Sequence, residues 1–190
     1  MSLLKVDTVQ GRSGTNISVA SGNSILDSAG KTLSNGMLEF DQWAMTANQD
    51  GNGNNILLQN NLARPTGKLQ GGYKGNGMTV SSGIWTFPST GFWLVRVIAT
   101  FEVNDDFAAE VVIEATDDNS SYDRIARCDA GTRANIGRLH TSSCEVIIDV
   151  TDTSNHKVKF LADSMASSSD IIGSSNEIYT GFTFMKLADT

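Results

Sequence analysis

The chain has 190 residues, of which 39% are hydrophobic and only 18% charged, and its formal net charge is −7 at pH 7. This length suffices for one domain with a buried core and an appended segment. The negative charge argues against general nucleic-acid binding, which needs a basic face. No run approaches the roughly 20 apolar residues of a membrane helix, so we expect no membrane insertion. The first residues lack the apolar core of a signal peptide, from which we expect synthesis in a cytoplasm and exit as part of a particle.

Residues 1–40 differ from the rest of the chain, because short apolar runs alternate there with turns of Gly, Ser and Asn. Residues 4–9 and 17–19 are strand signals on either side of a glycine turn. Such isolated apolar runs do not make a self-sufficient core, but three copies wound around a common axis would bury them. We therefore expect residues 1–40 to form a β-arm and residues 41–190 to form a globular head.

The first part of the head combines brief strand signals at residues 56–58 and 78–80 with glycine-rich turns. Residues 50–54 share the Asp-Gly-Asn pattern that begins a calcium loop, but the closing glutamate and the flanking helices are missing. The glycines of residues 71–77 lack the Lys-Ser/Thr that completes a phosphate loop. We therefore expect no metal and no cofactor here.

The strongest strand signal begins after Pro88, at Gly91, and runs to residue 101 through β-branched and aromatic residues. Alternate positions form one apolar face, made of Trp93, Val95, Val97, Ala99 and Phe101. The other face starts with Phe92 and ends at Glu102, so it changes from apolar to polar. A strand of a two-layer sandwich, buried on both sides at its apolar end, has this pattern.

Further strand signals follow at regular intervals. We place them at residues 109–116, as the partner of the strong strand, and at 122–128, 135–140, 145–150, 157–162 and 178–184. Val158 and Phe160 are expected to point inward. The spacing is typical of an all-β sandwich, and no segment of 12 residues has a helical period.

Two stretches resemble the C1q/tumour-necrosis-factor-like jelly roll. Trp85-Thr86-Phe87-Pro88 followed by Gly91-Phe92-Trp93 is similar to that family's aromatic-Thr-x-Pro-x-x-Gly-x-aromatic step, and residues 178–184 are similar to its closing strand. Asn155 and His156 stand where the family has Gly-Asp. The resemblance covers about residues 43–187 and implies a jelly-roll β-sandwich that forms a homotrimer. Its fold-defining positions in this chain are Trp85, Pro88, Gly91, Trp93, Tyr179, Gly181 and Phe182.

The start of the arm carries a second resemblance. Leu-Lys-Val-Asp-Thr-Val at residues 4–9, with Ser-Gly-Thr-Asn-Ile-Ser-Val at residues 13–19, is similar to the N-terminal segment of tail-fibre and other surface proteins of marine and cyanobacterial phages. In those proteins the segment tethers a globular head to the particle. The resemblance implies that residues 1–40 attach this chain to other virion proteins. The alternative is an ordinary β-arm that docks on its own head.

Catalytic chemistry has little support in the sequence. His140 and His156 have no metal-binding spacing, and Ser142, Ser143 and Cys144 alternate in direction along a strand with no nucleophile elbow nearby. We expect no enzyme, no catalytic residue and no cofactor.

The two carboxylate pairs and the pair of cysteines leave alternatives open. The carboxylates at residues 105–106 and 117–118 suit turn capping, while the C1q-like resemblance also allows a cation there. Cys128 and Cys144 are the two cysteines of the chain, and they are either buried thiols or a pair that joins neighbouring strands outside the cell.

Four arginines make a locally basic segment in this acidic chain: Arg124, Arg127, Arg133 and Arg138. Arginine forks suit carboxylates and phosphates, so one interpretation is an anionic partner such as a host surface glycan or an acidic capsid face. The other is pairing with acidic residues of a neighbouring copy in the trimer.

Together these observations predict a homotrimeric phage virion structural protein, made in the host cytoplasm and located in the virion. Its arm attaches to the particle and its jelly-roll head projects, either as a tail-fibre or receptor-binding head or as a capsid decoration (cement) protein. The alternative function is a cellular C1q-like lectin or ligand-binding module.

Overall fold

The structure, a computed structural model, describes residues 39–50, 53–67, 72–132 and 137–190. The arm expected at residues 1–40 lies almost wholly outside these residues, so its structure and its role stay predictions. The regular structure in the described residues consists of β-strands. No helix there is long and apolar enough to span a membrane.

The described residues form fourteen strands. They are β1 (Phe40–Met45), β2 (Gln49–Asp50), β3 (Ile56–Leu57), β4 (Leu62–Ala63), β5 (Tyr73–Lys74), β6 (Thr79–Ser81), β7 (Ile84–Thr86), β8 (Gly91–Val103), β9 (Asp106–Thr116), β10 (Asp123–Thr132), β11 (Arg138–Val150), β12 (Lys157–Asp163), β13 (Asp170–Ile171) and β14 (Gly181–Ala188).

These strands build two antiparallel sheets. The first has the order β2-β13-β8-β14-β1-β4, with β11 on the free side of β8 and β5 paired to β1. The second has the order β10-β9-β12-β7-β6, with β3 paired to β12. The chain crosses repeatedly from one sheet to the other, as between β7, β8 and β9 and between β10, β11 and β12, which is the connectivity of a jelly roll. The all-β jelly-roll sandwich predicted from the sequence is therefore confirmed.

One expected pairing is wrong. The segment at residues 109–116 was expected to be the partner of β8, yet β9 pairs with β10 and β12 in the second sheet. The turn at Asp105, whose φ is +49°, carries the chain across to that sheet. β8 instead pairs with β11 along its whole length, from Val103 opposite Arg138 to Gly91 opposite Val150. Strands adjacent in sequence usually pair, and here long-range ladders override that tendency.

The inward face of β8 is the centre of the core. The five residues assigned to it from the period-2 pattern are all at most 1% exposed. The expected burial of the apolar end of its other face is not found, because that end is open at Phe92, while the polar end is covered at Thr100 and exposed at Glu102. Phe92 is 38% exposed, whereas Thr100 is buried. The Thr100 hydroxyl donates to the Tyr179 carbonyl oxygen at 2.9 Å and lies 2.9 Å from the Thr141 hydroxyl, so its burial leaves no unsatisfied group.

A cluster of aromatic rings joins the two sheets. Trp85 of the second sheet meets Trp43 of the first edge to face, with ring centroids 5.0 Å apart, and its ring also lies 5.0 Å from that of Phe184. Phe160 and Phe182 complete the cluster, with centroids 4.5 Å apart. Offset and edge-to-face pairs of this kind add to the stabilisation from burial alone.

The cluster holds two indole N–H groups without acceptors. Nε1 of Trp43 and Nε1 of Trp85 have no hydrogen-bond partner among the described residues. An unsatisfied buried donor costs about 1–3 kcal/mol. Burying an indole removes about 150–250 Å² from water, which contributes about 4–6 kcal/mol. At Trp85, which is fully buried, the apolar gain therefore exceeds the lost hydrogen bond.

A buried ion pair ties β1 to the loops beside it. Arg64 donates two hydrogen bonds to Asp41, at 2.9 and 2.8 Å, and Asp41 also accepts the Met78 N–H at 2.7 Å. The guanidinium carbon lies 4.4 Å from the ring centroids of both Trp43 and Tyr73. Hydrogen bonding to Asp41 raises the pKa of Arg64 above its ordinary value. Because Asp41 is fully buried, removal of either partner would leave an uncompensated group.

The turn into β8 depends on two of the fold-defining positions. Pro88 fixes φ in the short connection from β7, and Gly91 begins β8 with φ +138°. A side chain at Gly91 would collide with the carbonyl oxygen of Ala188 on β14. At the other end of that ladder, a Cβ on Gly181 would lie 2.6 Å from the Ile178 side chain. Gly91 thus allows β8 and β14 to approach, and Gly181 leaves room for the Ile178 side chain.

Replacing Trp93 with alanine tests the core assignment. Trp93 is 1% exposed and its Nε1 donates to the Ser89 carbonyl oxygen at 3.1 Å. We expect Trp93→Ala to lower the free energy of unfolding by about 3–5 kcal/mol, because it leaves a large cavity. Chemical denaturation measures the loss. Thr79→Ala, at an exposed position of β6, is the control and should change stability by less than about 0.5 kcal/mol. Equal stability of the two variants would show that the core assignment is wrong.

Candidate oligomer interface

The first sheet turns one face away from the core, and we call it the open face. It consists of the outward side chains of β11, β8, β14 and β1. The cross-strand register places Ile147, Leu94, Met185 and Phe40 side by side, so that one apolar row crosses all four strands. Phe92 lies in the neighbouring row on β8. Directly opposed side chains on antiparallel strands contact each other, so these residues form a continuous surface.

Large apolar side chains are exposed on the open face. Ile147 is 57% exposed and Leu139, at the far end of β11, is 59% exposed. Polar rows lie between these positions: Arg96 stands opposite Glu145 and Thr183, and Thr100 stands opposite Thr141. Contiguous exposed apolar surface with polar residues around it marks an interaction site more often than free surface.

The outward face of the second sheet is ionic instead. Arg124 contacts Asp163 at 2.6 Å and Glu114 at 3.4 Å, and Lys159 contacts Glu114 at 3.0 Å. The two acids are largely buried beneath these cations. Burial raises the pKa of Asp163, but hydrogen bonds from Arg124 and from the Asn55 N–H outweigh it, so the pKa of Asp163 lies below its ordinary value. This sheet therefore satisfies its charges within the chain.

The predicted arginine cluster is divided between these surfaces. Arg124 and Arg127 lie on β10 in the second sheet, where Arg127 contacts Glu110 at 3.3 Å. Arg138 begins β11 in the first sheet, and Arg133 lies outside the described residues. The acids that pair with Arg124 and Arg127 belong to the same chain. A role of these arginines toward an anionic partner or a neighbouring copy stays a prediction.

A recess opens at the edge of the sandwich, where β10 and β11 separate. It is a cavity of about 410 Å³ whose apolar lining includes Ile125, Val146 and Ile148. The recess is also lined by Thr116, Ser121, His156 and three carboxylates, those of Asp117, Asp123 and Asp149. An apolar side chain accompanied by a cation fits such a recess. We call it the edge recess.

The residues considered for chemistry do not form a catalytic group. His140, Ser142 and Cys144 occupy alternate positions of β11 on the inward side, and Ser143 lies on the open face. Nε2 of His140 is buried and has no hydrogen-bond partner among the described residues. In the same residues, no group of three or more His, Cys, Asp or Glu side chains could hold a metal ion.

The paired carboxylates act in turns. Asp118 accepts hydrogen bonds from the N–H groups of Ser120 and Ser121, at 2.8 and 2.7 Å, and these bonds lower its pKa. Asp106 accepts from the N–H of Ala108 at 3.3 Å and from that of Ala166 at 2.8 Å. The bonds to Asp118 and the bond from Ala108 to Asp106 are those of turn capping, whereas the bond from Ala166 joins Asp106 to a distant loop.

Carboxylates form a row at the end of the first sheet. Asp170 on β13 stands opposite Asp50 on β2 and opposite Glu102 on β8. Burial raises the pKa of Asp170, and the negative charges of Asp50 and Glu102 raise it further. Like charges directly opposite each other on neighbouring strands destabilise a sheet. The carboxylate row therefore opposes folding at neutral pH.

Solved structures of tumour-necrosis-factor proteins are similar to this chain. Eiger TNF from S. frugiperda matches with a TM-score of 0.57 and 12% sequence identity, over 80% of this chain and 94% of that one. Murine APRIL, in a crystal structure at pH 8.0, matches with a TM-score of 0.54 and 11% identity, over 78% of this chain and 98% of that one. No protein-family model and no curated protein sequence matches. At these identities the similarity establishes the jelly-roll fold alone.

Sequence reasoning missed the open face and the edge recess. The apolar row joins Phe40 to Met185 and Leu94 to Ile147, and these pairs are far apart in the chain. One signal was present, since the second face of β8 begins with two large apolar residues. It was interpreted as burial within the subunit, although the structure leaves Phe92 partly exposed.

Replacing Asp170 with asparagine tests the carboxylate row. A raised pKa in the folded state means that the ionised side chain destabilises the fold above that pKa, and that the cost disappears below the pKa of the unfolded chain. We expect Asp170→Asn to stabilise the protein at pH 7 by about 0.2–1 kcal/mol. The difference from wild type should shrink as the pH falls toward 4.

Thermal denaturation at several pH values measures this difference. Asp117→Asn is the control, since Asp117 is exposed in the turn after β9, and it should leave stability unchanged at every pH. A constant effect of Asp170→Asn from pH 7 to pH 4 would contradict the assigned repulsion.

Proposed function

We propose that this chain is a non-enzymatic structural and binding module that acts as a homotrimeric jelly-roll head. The observation that carries the proposal is the contrast between the two outward faces. The second sheet pairs its own charges, whereas the open face of the first sheet leaves Ile147 and Phe92 exposed in the subunit, beside the half-buried Leu94. A second copy of the chain is the partner that we assign to this face.

A ring of copies needs two different surfaces that fit each other. The open face supplies apolar side chains and an exposed arginine, Arg96, which makes no ion pair within the described residues, although the carboxylates of Glu145 and Asp149 lie on the same face. The edge recess supplies an apolar lining with carboxylates at Asp117 and Asp123, and it shares Ile147 and Asp149 with the open face. Apolar contact therefore favours packing of the open face of one copy against the recessed edge of the next. The C1q/TNF-like resemblance supports closure at three copies.

The location of the trimer is a finer part of the proposal. We infer that it is a virion component, attached by residues 1–40 and with its head outward, as a tail-fibre or capsid decoration protein. The support is the resemblance of residues 4–9 and 13–19 to phage surface proteins, together with a composition rich in uncharged polar residues. Partners beyond the trimer are then other virion proteins at the arm and a host surface glycan at the head.

A charge introduced on the open face tests the oligomer. Ile147 is 57% exposed in the single subunit, so Ile147→Glu should leave the fold intact. In a trimer it would bury an unpaired charge, and we expect association to weaken by on the order of 100-fold or more. Light scattering at micromolar concentration should change from three times the 20.3 kDa chain mass to the mass of one chain.

The matched control is Thr79→Glu, which adds the same charge at an exposed position of the second sheet. It should remain trimeric. A monomeric wild type, or equal dissociation of the two variants, would contradict the proposed interface.

Deletion of residues 1–35 tests the attachment. We expect the truncated head to keep the melting temperature of its core and to lose incorporation into particles. Antibody labelling of particles that carry the full chain then distinguishes capsid from tail. Normal incorporation of the truncated chain would show that the head itself docks, and absence of the full chain from particles would favour the cellular ligand-binding alternative.

A further inference from the structure

The two cysteines point at each other from different sheets. Cys128 lies on β10 opposite Val111, and Cys144 lies on β11 opposite Val97. Both valines are fully buried core residues, so both thiols are directed into the space between the sheets. β10 and β11 are the strands at the same edge of the sandwich, and their side chains meet there.

Both cysteines belong to the same packed core, in which Cys128 is buried and Cys144 packs against the buried cluster. Cys128 and Cys144 are hydrogen-bond partners, and the Ser142 hydroxyl also hydrogen-bonds Cys128. Both cysteines are free in this structure. Cys128 is 3% exposed, whereas Cys144 is partly exposed and therefore reachable from solvent. A disulfide requires the two Cβ atoms to lie about 3.5–4.5 Å apart, and β10 and β11 lie close together at this edge of the sandwich.

We propose that Cys128 and Cys144 are an oxidation site that forms an intrachain disulfide and joins the two sheets at the edge recess. This goes beyond the proposed trimer, because the bond would form within one subunit. Val146, two residues beyond Cys144 on the same side of β11, lines the edge recess. The disulfide would therefore hold one wall of the recess at a fixed distance from β10.

The oxidant is a small-molecule disulfide such as oxidised glutathione. Hydrogen bonding to Cys128 lowers the pKa of Cys144, so Cys144 loses its proton first. Its thiolate attacks one sulfur of the oxidant, forms a mixed disulfide and releases one glutathione thiolate. Cys128 then loses its proton, attacks Sγ of Cys144 and releases the second glutathione thiolate. Two protein thiols are oxidised, one disulfide is reduced to two thiols, and two protons leave the protein.

The experiment uses the full-length protein incubated with reduced glutathione or with oxidised glutathione. We expect two titratable thiols per chain, measured in denaturant, after the first treatment and none after the second. The oxidised protein should be lighter by the mass of two hydrogens and should migrate as a single chain without reductant. Its melting temperature should rise by roughly 5–10 °C, because the bond restricts the unfolded chain.

Two single variants act as controls. Cys128→Ala and Cys144→Ser each retain one thiol, and neither should gain stability from oxidised glutathione. Two thiols that remain free in folded, oxidant-treated wild type would overturn the proposal. A mass increase from two glutathione adducts, or a disulfide between chains, would overturn it as well. These outcomes do not depend on the trimer, whose failure appears in light scattering.

Discussion

The contact on which the structure depends is the aromatic cluster between the two sheets. Trp85 belongs to the second sheet, yet its ring neighbours Trp43, Phe182 and Phe184 belong to the first. Such rings fill the space between sheets that lie about 10 Å apart. Because the cluster holds the sheets together, the inward face of β8 is closed and its other face must point outward. The open face is therefore a consequence of how the core is packed.

The two outward faces differ in the side chains that they present to solvent. In the second sheet, buried acids such as Glu114 and Asp163 are neutralised by Arg124 and Lys159 of the same chain, so these charges need no partner. Apolar side chains of the open face have no equivalent cover in the subunit. Isolated exposed apolar residues are ordinary, but a row across four strands is not. That contrast is why we assign the proposed interface to the open face of the first sheet.

Local patterns were sufficient to predict the parts of the fold that depend on a single strand. The period-2 alternation identified the inward residues of β8, and Pro88 with Gly91 identified the turn before it. Pairing between distant strands was not predictable from such patterns. The crossing of β9 to the second sheet depends on the ladder between β8 and β11, and the apolar row depends on the register of four strands at once. The ion pair of Arg124 with Asp163 likewise joins residues 39 positions apart.

Symmetry distinguishes the ways in which the open face could be covered. In a two-fold dimer the open face would meet its own copy, and the recess carboxylates Asp117 and Asp123 would stay outside the contact. A ring would place Arg96 of one copy beside these carboxylates of the next and would use both surfaces of every chain. Opposite charges in contact fix the register of an interface. The use of both apolar surfaces in every copy therefore favours a closed ring over a two-fold pair.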